Sequence, residues 1–499
     1  MPIAAPSRAL FCRWTVGWPC DPGVNAPLPE GFGLALDRSL LRFREGTVLA
    51  GGRPGRIITL TAVGAAALDD LVAGSGPDSA TRELAGRLVA AGMAHPRPPR
   101  ADSPSGATRS PPRPSVTVVV PVRDRAGALA RCLASLGHDQ PVVVVDDASA
   151  DPGAVADVCR AHGAHLVRRE VNGGPGDARS TARPLVRTEL VAFVDSDCTV
   201  PDGWLDGLTW LFADPDYGAV APRVRPLPVP SSGSRALDRF RDAHSPLDLG
   251  PDEGYVGPDR AVRYVPTAAL VVRRSALDQV DGFAPGMRMG EDVDLVWRLV
   301  DAGWRVRYVP SVTVSHQEPD RWRDLLARRF AYGTSAAPLA RRHPGRLAPV
   351  ELRPRPLIAA LALLAGRPVL AAGVVAASAV PLARTVRPLG IPAGRAWRWS
   401  AAGAGWTVMG LGRASTMVAW PGLLALAAGG RRGRRAAALL VLAPPVVDWV
   451  RQRPDLDLPR WIAASVADDV AYGAGVWTGC LRVRTLGPLV PTLRGDGQS

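Results

Sequence analysis

At 499 residues the chain is too long for one ordinary domain, and its length predicts about three. Apolar residues make up 47% and charged residues 21%, a balance that excludes a largely disordered protein. All 60 basic residues are arginine, so the formal net charge of +14 indicates a compositional bias more than a nucleic-acid partner. The charge does favour contact with phosphates and with anionic membrane surfaces.

Two irregular segments are predicted in the first part of the chain. Residues 1–27 form an N-terminal extension without an apolar run of signal-peptide length, so we expect no export. Seven prolines between residues 96 and 114 predict a linker over 98–114. The six cysteines form no CxxC pair and no cluster at ligand spacing, so we expect reduced thiols in the cytoplasm and no zinc site.

Residues 28–97, between these segments, predict a small winged-helix-like α+β domain. Strand patterns lie near 32–36 and 48–50. Two stretches with apolar residues at helical spacing follow, near 61–71 and 81–89.

Residues 115–350 alternate short β-branched runs with helical patterns, which predicts an α/β domain around a parallel sheet. Three of these runs end in polar or charged residues, at 116–120, 142–145 and 191–194. Because open sheets of this kind bind ligands at the carboxyl ends of their strands, we expect the functional site there.

Residues 351–499 are rich in Ala, Leu and Arg and predict a helical region. Its longest uncharged stretches, 368–383 and 414–430, are shorter than the roughly 18 residues of a membrane-spanning helix. Two interpretations stay open: helices that lie on or dip into a membrane surface, or a soluble helical subdomain with a core of small residues.

The strongest chemical signal is a strand that ends in two nearby acids, Asp195 and Asp197, with Ser196 between them. Two carboxylates at this spacing repel each other unless a cation lies between them. A divalent cation there could also bind diphosphate oxygens. The alternative is an ordinary loop triplet.

A second strand runs into Asp146 and Asp147. Carboxylates at this position can accept hydrogen bonds from a ribose or a base. The alternative is a turn in which Ser149 and Asp151 act as caps for the next helix.

A glycine-rich stretch over residues 172–179 leads into a further helix. Its backbone N–H groups near Gly176, together with the charge of Arg179, could bind a phosphate. The spacing matches neither a Rossmann nor a P-loop motif, which counts against dehydrogenases and NTPases.

Acids also begin an amphipathic helix at Glu291, Asp292 and Asp294. One of them, best Asp292, could deprotonate an acceptor hydroxyl, although acids are common at helix starts. His316 ends a strand-like run and would add a third metal ligand if the fold returned it to Asp195 and Asp197.

In this order the motifs resemble the family-2 glycosyltransferases over about residues 115–340. The markers are residues 119–124, the Asp146 and Asp195 motifs, residues 290–295 and His316. The resemblance implies a GT-A nucleotide-diphospho-sugar transferase fold and inversion at the anomeric carbon. It implies that Mn²⁺ or Mg²⁺ is held at Asp195 and Asp197, with His316 as the third candidate ligand, and that Asp292 is the base, with Glu291 beside it. The implied donor-binding residues are Pro121, Arg123, Asp124, Asp146, Asp147, Gly176, Arg179, Asp195 and Ser196.

The whole chain also resembles a narrower group, the mycofactocin-system glycosyltransferases of actinobacteria. Residues 264–273, 328–336 and 471–480 carry this likeness, and residues 28–96 look like the small peptide-chaperone domains of modified-peptide pathways. The resemblance implies UDP-glucose as donor and a peptide-derived redox cofactor, carrying a β-linked glucose chain, as acceptor. The cysteine pattern and the lack of a signal-peptide run predict a cytoplasmic enzyme, which the C-terminal helices could attach to the inner face of the cell membrane.

Several rival functions remain at this point. The chain could be a glycosyltransferase of cell-envelope polysaccharide or glycolipid synthesis, or a metal-dependent nucleotidyltransferase. It could also be a binding protein whose sheet is a remnant, which the intact acids argue against. Nucleic-acid binding is not expected, because no aromatic and basic residues alternate.

Overall fold

A computed structural model describes residues 26–52, 55–74, 78–98, 114–228 and 235–494, together with the backbone of Cys12–Trp14. The chain divides into two compact units. The first consists of Met1–Leu227 and Pro246–Gln317, and the second of Pro228–Ser245 and Glu318–Ser499. Most of the predicted extension and most of the predicted linker lie outside the described residues, and all the predicted domain boundaries stay predictions.

The first part of unit one is a small α+β assembly. Its elements are β1 (Cys12–Trp14), β2 (Gly33–Leu36), β3 (Leu41–Phe43), β4 (Val48–Gly51), β5 (Arg56–Leu60), α1 (Ala62–Ala73), α2 (Ser79–Ala90) and β6 (Ala94–Arg97). The strands form an antiparallel sheet in the order β1-β5-β4-β3 and a separate β2-β6 pair. Thr61 and Asp78 cap the two helices by accepting the backbone N–H of Gly64 and Thr81. Both predicted helices are confirmed.

A nine-stranded sheet forms the rest of unit one. Its strands are β7 (Val116–Val122), β8 (Val142–Asp147), β9 (His165–Arg169), β10 (Leu190–Val194), β11 (Cys198–Thr199), β12 (Tyr217–Pro226), β13 (Gly254–Tyr255), β14 (Ala269–Arg273) and β15 (Arg305–His316). The order is β11-β15-β12-β14-β10-β7-β8-β9, with β13 paired to β15. The predicted strands and the parallel pairing of β10, β7 and β8 are confirmed. The sheet as a whole is mixed, because β14 runs antiparallel to β10 and β12.

Helices cover this sheet and complete its core. They are α3 (Ala126–Leu136), α4 (Pro152–Ala161), α5 (Pro175–Ala182), α6 (Asp206–Thr209), α8 (Arg274–Gln279) and α9 (Glu291–Asp301). Val118, Val120 and Val144 are fully buried in the same cluster as Leu129 and Leu133 of α3. Strands buried on both faces explain the continuous apolar runs in the sequence.

The second unit is almost entirely helical. It contains α7 (Arg235–His244), α10 (Trp322–Thr334), α11 (Ala336–Arg342), α12 (Pro354–Leu364), α13 (Pro368–Val386), α14 (Ala393–Met417), α15 (Trp420–Ala428), α16 (Gly430–Gln452) and α17 (Leu458–Val483). Two short parallel strands, β16 (Glu351–Leu352) and β17 (Thr492–Leu493), accompany the helices. Within the described residues, 368–389 form the one helical segment long and apolar enough to cross a membrane, with a mean hydropathy of 1.7.

Glycines let the helices of this unit approach closely. A Cβ on Gly333 of α10 would lie 2.0 Å from the Tyr472 carbonyl oxygen, and one on Gly475 of α17 would lie 2.0 Å from that of Phe330. The two stretches that resemble the narrower enzyme group, 328–336 and 471–480, therefore pack on each other. Their sequence pattern has a structural cause, which is backbone contact between α10 and α17.

Candidate active site

The predicted site residues lie along one edge of the large sheet. β10, β7 and β8 are adjacent and parallel, so their carboxyl ends meet there. This places Asp124, Asp147 and Asp195 at neighbouring strand ends, as the sequence predicts.

The end of β7 is strained and tied to the end of β8. Asp124 (φ +57°) and Ala148 (φ +60°) both have left-handed backbone conformations, which are costly for residues other than glycine. The Asp124 N–H donates to Ser149 Oγ at 2.9 Å, and the Ala150 N–H donates to Asp124 Oδ1 at 2.6 Å. The side chains of Arg123 and Asp124 remain about half exposed, so a ligand can reach them. Pro121, by contrast, is buried within β7.

The two acids at the end of β8 bind to the protein itself. Asp146 accepts the Ser149 N–H at 2.9 Å and pairs with Arg168. Asp147 accepts the N–H groups of Gly173 and Gly174, at 3.0 and 2.8 Å. Both carboxylates are buried and shape the surrounding loops, the glycine-rich loop included. Their predicted contact with a nucleoside stays a prediction.

Arg179 connects the end of β10 to the start of α9. Its side chain is only 2% exposed and forms ion pairs with Asp195 and with Glu291, the latter at 3.0 Å. Gly176, one turn earlier in α5, allows this approach, because a Cβ there would lie 3.2 Å from Glu291 Cγ. The structure therefore places Arg179 between two carboxylates, and its predicted contact with a phosphate stays a prediction.

The fold returns His316 to the acidic motif, which was the condition for considering it as a ligand. β11 pairs antiparallel with the end of β15, with Cys198 opposite His316. His316 Nε2 consequently lies 3.5 Å from Asp197 Oδ1, and both side chains are largely buried. Asp197 also pairs with Arg125, whose side chain is half exposed. Ser196 is buried between the two acids of the motif.

These residues fit a divalent cation that is shared with a substrate. No group of three or more His, Cys, Asp or Glu side chains forms a complete metal cage in the part of the chain that the structure describes. Mg²⁺ is usually held by only one or two carboxylates together with substrate phosphates, and histidine is a common metal ligand. The 3.5 Å between Asp197 and His316 is near the roughly 3 Å that separates neighbouring ligands of such an ion. Arg125 would have to move aside, which its exposure allows.

The acids that begin α9 have three different environments. Glu291 is buried against Arg179, and burial, followed by the neighbouring Asp292 charge, raises the pKa of Glu291 to about 7. Asp292 is partly exposed, and its surroundings raise its pKa, burial being the main cause. Asp294 is fully buried and pairs with Arg298, which also donates to the carbonyl of Gly282. Asp292 is therefore the most exposed of the three acids, and Asp294 has a structural role.

Several arginines complete the site without any signal in the sequence. Arg125 pairs with Asp197, Arg168 with Asp146 and Arg169 with Asp147. No motif includes these arginines. Only the position of Arg168 and Arg169 at the end of β9, beside β8, could have suggested their role.

The arrangement offers three functions at one sheet edge. Arg123 and Asp124 are open to a ligand, Asp197 and His316 form a candidate metal pair, and Asp292 is a partly exposed acid with a raised pKa. Such a set can bind a charged leaving group and deprotonate an attacking hydroxyl.

Comparison with known proteins shows which family the chain resembles. A family model described as "Glycosyltransferase like family 2" matches residues 112–334. The pre-mycofactocin glycosyltransferase of Mycobacterium tuberculosis is 38% identical over 484 residues, which cover 94% of this chain and 99% of the relative. An N-acetylglucosaminyltransferase of Rhizobium meliloti is 29% identical over 45% of this chain and 56% of its own length.

One solved structure that matches the chain is the mannosyltransferase PcManGT from Pyrobaculum calidifontis, in complex with GDP-Man and Mn²⁺. It is 21% identical, and the match covers 76% of this chain and 91% of that chain with a TM-score of 0.41.

Proposed function

The chain belongs to the family-2 glycosyltransferases and has their GT-A fold, and from this premise we propose that it transfers glucose from UDP-glucose to a hydroxyl of the peptide-derived redox cofactor mycofactocin or its growing β-glucan chain. The observation that carries this proposal is the 38% identity over 94% of the chain to the pre-mycofactocin glycosyltransferase. A match of that length includes the N-terminal and C-terminal segments, which a general family-2 match omits.

The donor would bind along the carboxyl edge of β7, β8 and β10. Asp124 and Arg123 are the reachable polar side chains there, while Asp147 holds the loop that leads into α5. Asp197 and His316, with Asp195, would hold Mn²⁺ or Mg²⁺. When bound, that cation would offset the negative charge of the diphosphate.

The chemistry proposed is a single displacement with inversion. Asp292 accepts the proton of the acceptor hydroxyl, and that oxygen forms the new bond to the anomeric carbon. The bond from the anomeric carbon to the diphosphate oxygen breaks, and UDP leaves with its electron pair. The partial exposure of Asp292 and its raised pKa both suit a general base.

The N-terminal domain would bind the acceptor, and the C-terminal helical unit would determine where the enzyme is located. Residues 28–97 would hold the peptide part of the acceptor, as their likeness to peptide-chaperone domains suggests. The helical unit would keep the enzyme in the cytoplasm at the inner membrane surface.

The test is a transfer assay with the purified full chain, Mn²⁺ or Mg²⁺ and the mycofactocin precursor. UDP-glucose is compared with UDP-galactose and GDP-mannose, and both UDP release and the glycosylated product are measured. We expect UDP release and a hexose on the acceptor with UDP-glucose. Asp197→Ala should lose the metal-dependent part of donor binding, whereas Asp202→Ala, an exposed acid on the following loop, should not.

Other outcomes would contradict the proposal in distinct ways. Release of pyrophosphate would indicate a nucleotidyltransferase. Transfer to an envelope glycan but not to the mycofactocin precursor would show that the proposed acceptor is wrong. Absence of donor binding in calorimetry would favour a binding protein.

A further inference from the structure

The helical unit contains a long segment with a one-sided charge. Residues 352–447 include twelve arginines and not one Asp or Glu. Large apolar side chains in the same segment are exposed, among them Val369 at 85%, Leu424 at 61% and Trp406 at 57%. Exposed apolar and aromatic side chains among basic residues are typical of a surface that meets anionic lipid.

A half-open cavity of about 690 Å³ lies between α12, α13 and α14. That volume is in the range of small-molecule binding sites. Pro356 and Ala359 line it from α12, Val374 and Leu382 from α13, and Trp399 from α14.

Three hydroxyl groups of the cavity wall are bonded to their own helices. Ser378 Oγ donates to the Val374 carbonyl at 3.1 Å, and Thr407 Oγ1 donates to the Gly403 carbonyl at 2.9 Å. Thr385 Oγ1 makes the equivalent bond to the carbonyl four residues earlier. Because these hydroxyls are satisfied by their own helices, they present mainly carbon atoms to the cavity.

The cavity also has a cationic side. Arg353, Arg355 and Arg494 line it together with one acid, Glu351, which pairs with Arg494 at 3.3 Å. The charged groups in the lining therefore sum to a net positive charge. A cavity with an apolar side and a cationic side is complementary to an amphipathic anion.

We propose that this cavity binds one anionic phospholipid of the cytoplasmic leaflet, with its phosphate at Arg353 and Arg355 and its acyl chain between α13 and α14. The exposed apolar side chains favour a lipid over a soluble anion. Contact with a membrane would remove Val369 and Trp406 from water, whereas binding of a soluble anion would leave them exposed. The inference deepens the proposed membrane location and does not depend on the sugar or the acceptor.

The first measurement is binding of the full chain to vesicles. Phosphatidylcholine vesicles are compared with vesicles that also contain phosphatidylglycerol, and the protein is then reisolated and its bound lipid identified by native mass spectrometry. We expect binding only with phosphatidylglycerol and one phosphatidylglycerol per chain. Arg353→Gln with Arg355→Gln should weaken vesicle binding roughly 30-fold.

A matched pair of variants separates the cavity from general surface charge. Gly403 lines the cavity, and a Cβ there would lie 3.7 Å from Pro356, so the side chain of Gly403→Leu would project into it. Gly405 is on the same helix with open space beside it, so Gly405→Leu adds the same side chain outside the cavity. We expect Gly403→Leu to lose the bound lipid and Gly405→Leu to keep it.

Three results would overturn the proposal. They are equal lipid retention by the two leucine variants, equal binding to both kinds of vesicle, and displacement of the lipid by inorganic phosphate alone. UDP release in solution is measured in parallel for both variants. If Gly403→Leu loses the lipid but still releases UDP, the result bears on the cavity alone. If the unaltered chain binds lipid but releases no UDP, the result contradicts the proposed function alone.

Discussion

The sheet unit and residues 352–447 of the helical unit use the same residue type, arginine, in opposite ways. In the sheet unit, buried arginines lie against acids, as Arg179 does against Asp195 and Glu291, and Arg307 against Glu253. In the helical unit, residues 352–447 contain arginines but no Asp or Glu with which these arginines could pair.

This difference shows why the net charge of the whole chain is a poor guide to its partners. Charges that are neutralised inside the sheet unit organise the site and have no effect at a distance. Charges on the helical segment remain outside and can attract an anionic surface. The composition of the chain does not distinguish these two groups of arginines, because both contribute equally to the net charge.

The largest expected effect distinguishes the acid that reacts from those that hold the structure. Asp292→Asn should lower turnover by about 10²- to 10⁴-fold, because the acceptor hydroxyl loses its base. Donor binding, measured by calorimetry, should stay within about twofold. Asp281→Asn, at an exposed and left-handed position where Asn is tolerated, is the control and should keep full turnover. Equal losses in both variants, or loss of donor binding in Asp292→Asn, would exclude Asp292 as the base.

The next effect concerns the buried arginine. Arg179→Met should lower the free energy of unfolding by about 3–5 kcal/mol, because it leaves two carboxylates without their partner. Arg183→Met removes a more exposed ion pair with Asp278 and should cost about 0.2–1 kcal/mol. Denaturant unfolding of both variants measures the contrast. Similar losses of unfolding free energy in the two variants would mean that burial does not determine how much an arginine contributes to the stability of this unit.

A third effect follows from the pKa of Glu291, which is raised from 4.5 to about 7. Below pH 4.5 the side chain is protonated in both the folded and the unfolded chain, so burying it carries no cost of burying a charge. Between pH 4.5 and 7 the unfolded chain releases the proton first, so the folded chain should lose about 3 kcal/mol. Glu291→Gln should lack this loss.

Unfolding at pH 5 and pH 8 tests the pH effect. The difference in unfolding free energy between the two pH values should be smaller in Glu291→Gln than in the unaltered chain. Glu189→Gln, at a half-exposed ion pair with Arg273, should leave that difference unchanged. An unchanged difference in Glu291→Gln would show that burial does not raise the pKa of this side chain.

The smallest effect is expected in the helical unit. Arg398 is exposed on α14, and Arg398→Gln should change the free energy of unfolding by no more than about 0.5 kcal/mol. Thermal unfolding in the absence of lipid measures this. A loss comparable to that of Arg179→Met would remove the distinction between the sheet unit and residues 352–447.

Much of the fold and part of the site follow from local sequence. The apolar runs that became β7, β8 and β10 predict buried parallel strands, and the period of α1 and α2 predicts helices, because these patterns depend only on near neighbours. Acids directly after a strand must lie at the edge of the sheet, so the sequence alone indicated where the candidate site lies.

Only the tertiary structure decided which of these acids are available. Arg179 and Glu291 are 112 residues apart, and nothing local to either residue announces their contact. The return of His316 to Asp197 likewise depends on the pairing of β11 with β15. The exposure of the apolar helices is another tertiary property, because the same small-residue pattern would serve a buried core. The sequence by itself determined where acids, strands and helices stand, since these depend on short-range periodicity. Burial and pairing with distant groups determined what each acid does, since hydrogen bonding and charge neutralisation depend on neighbours in space.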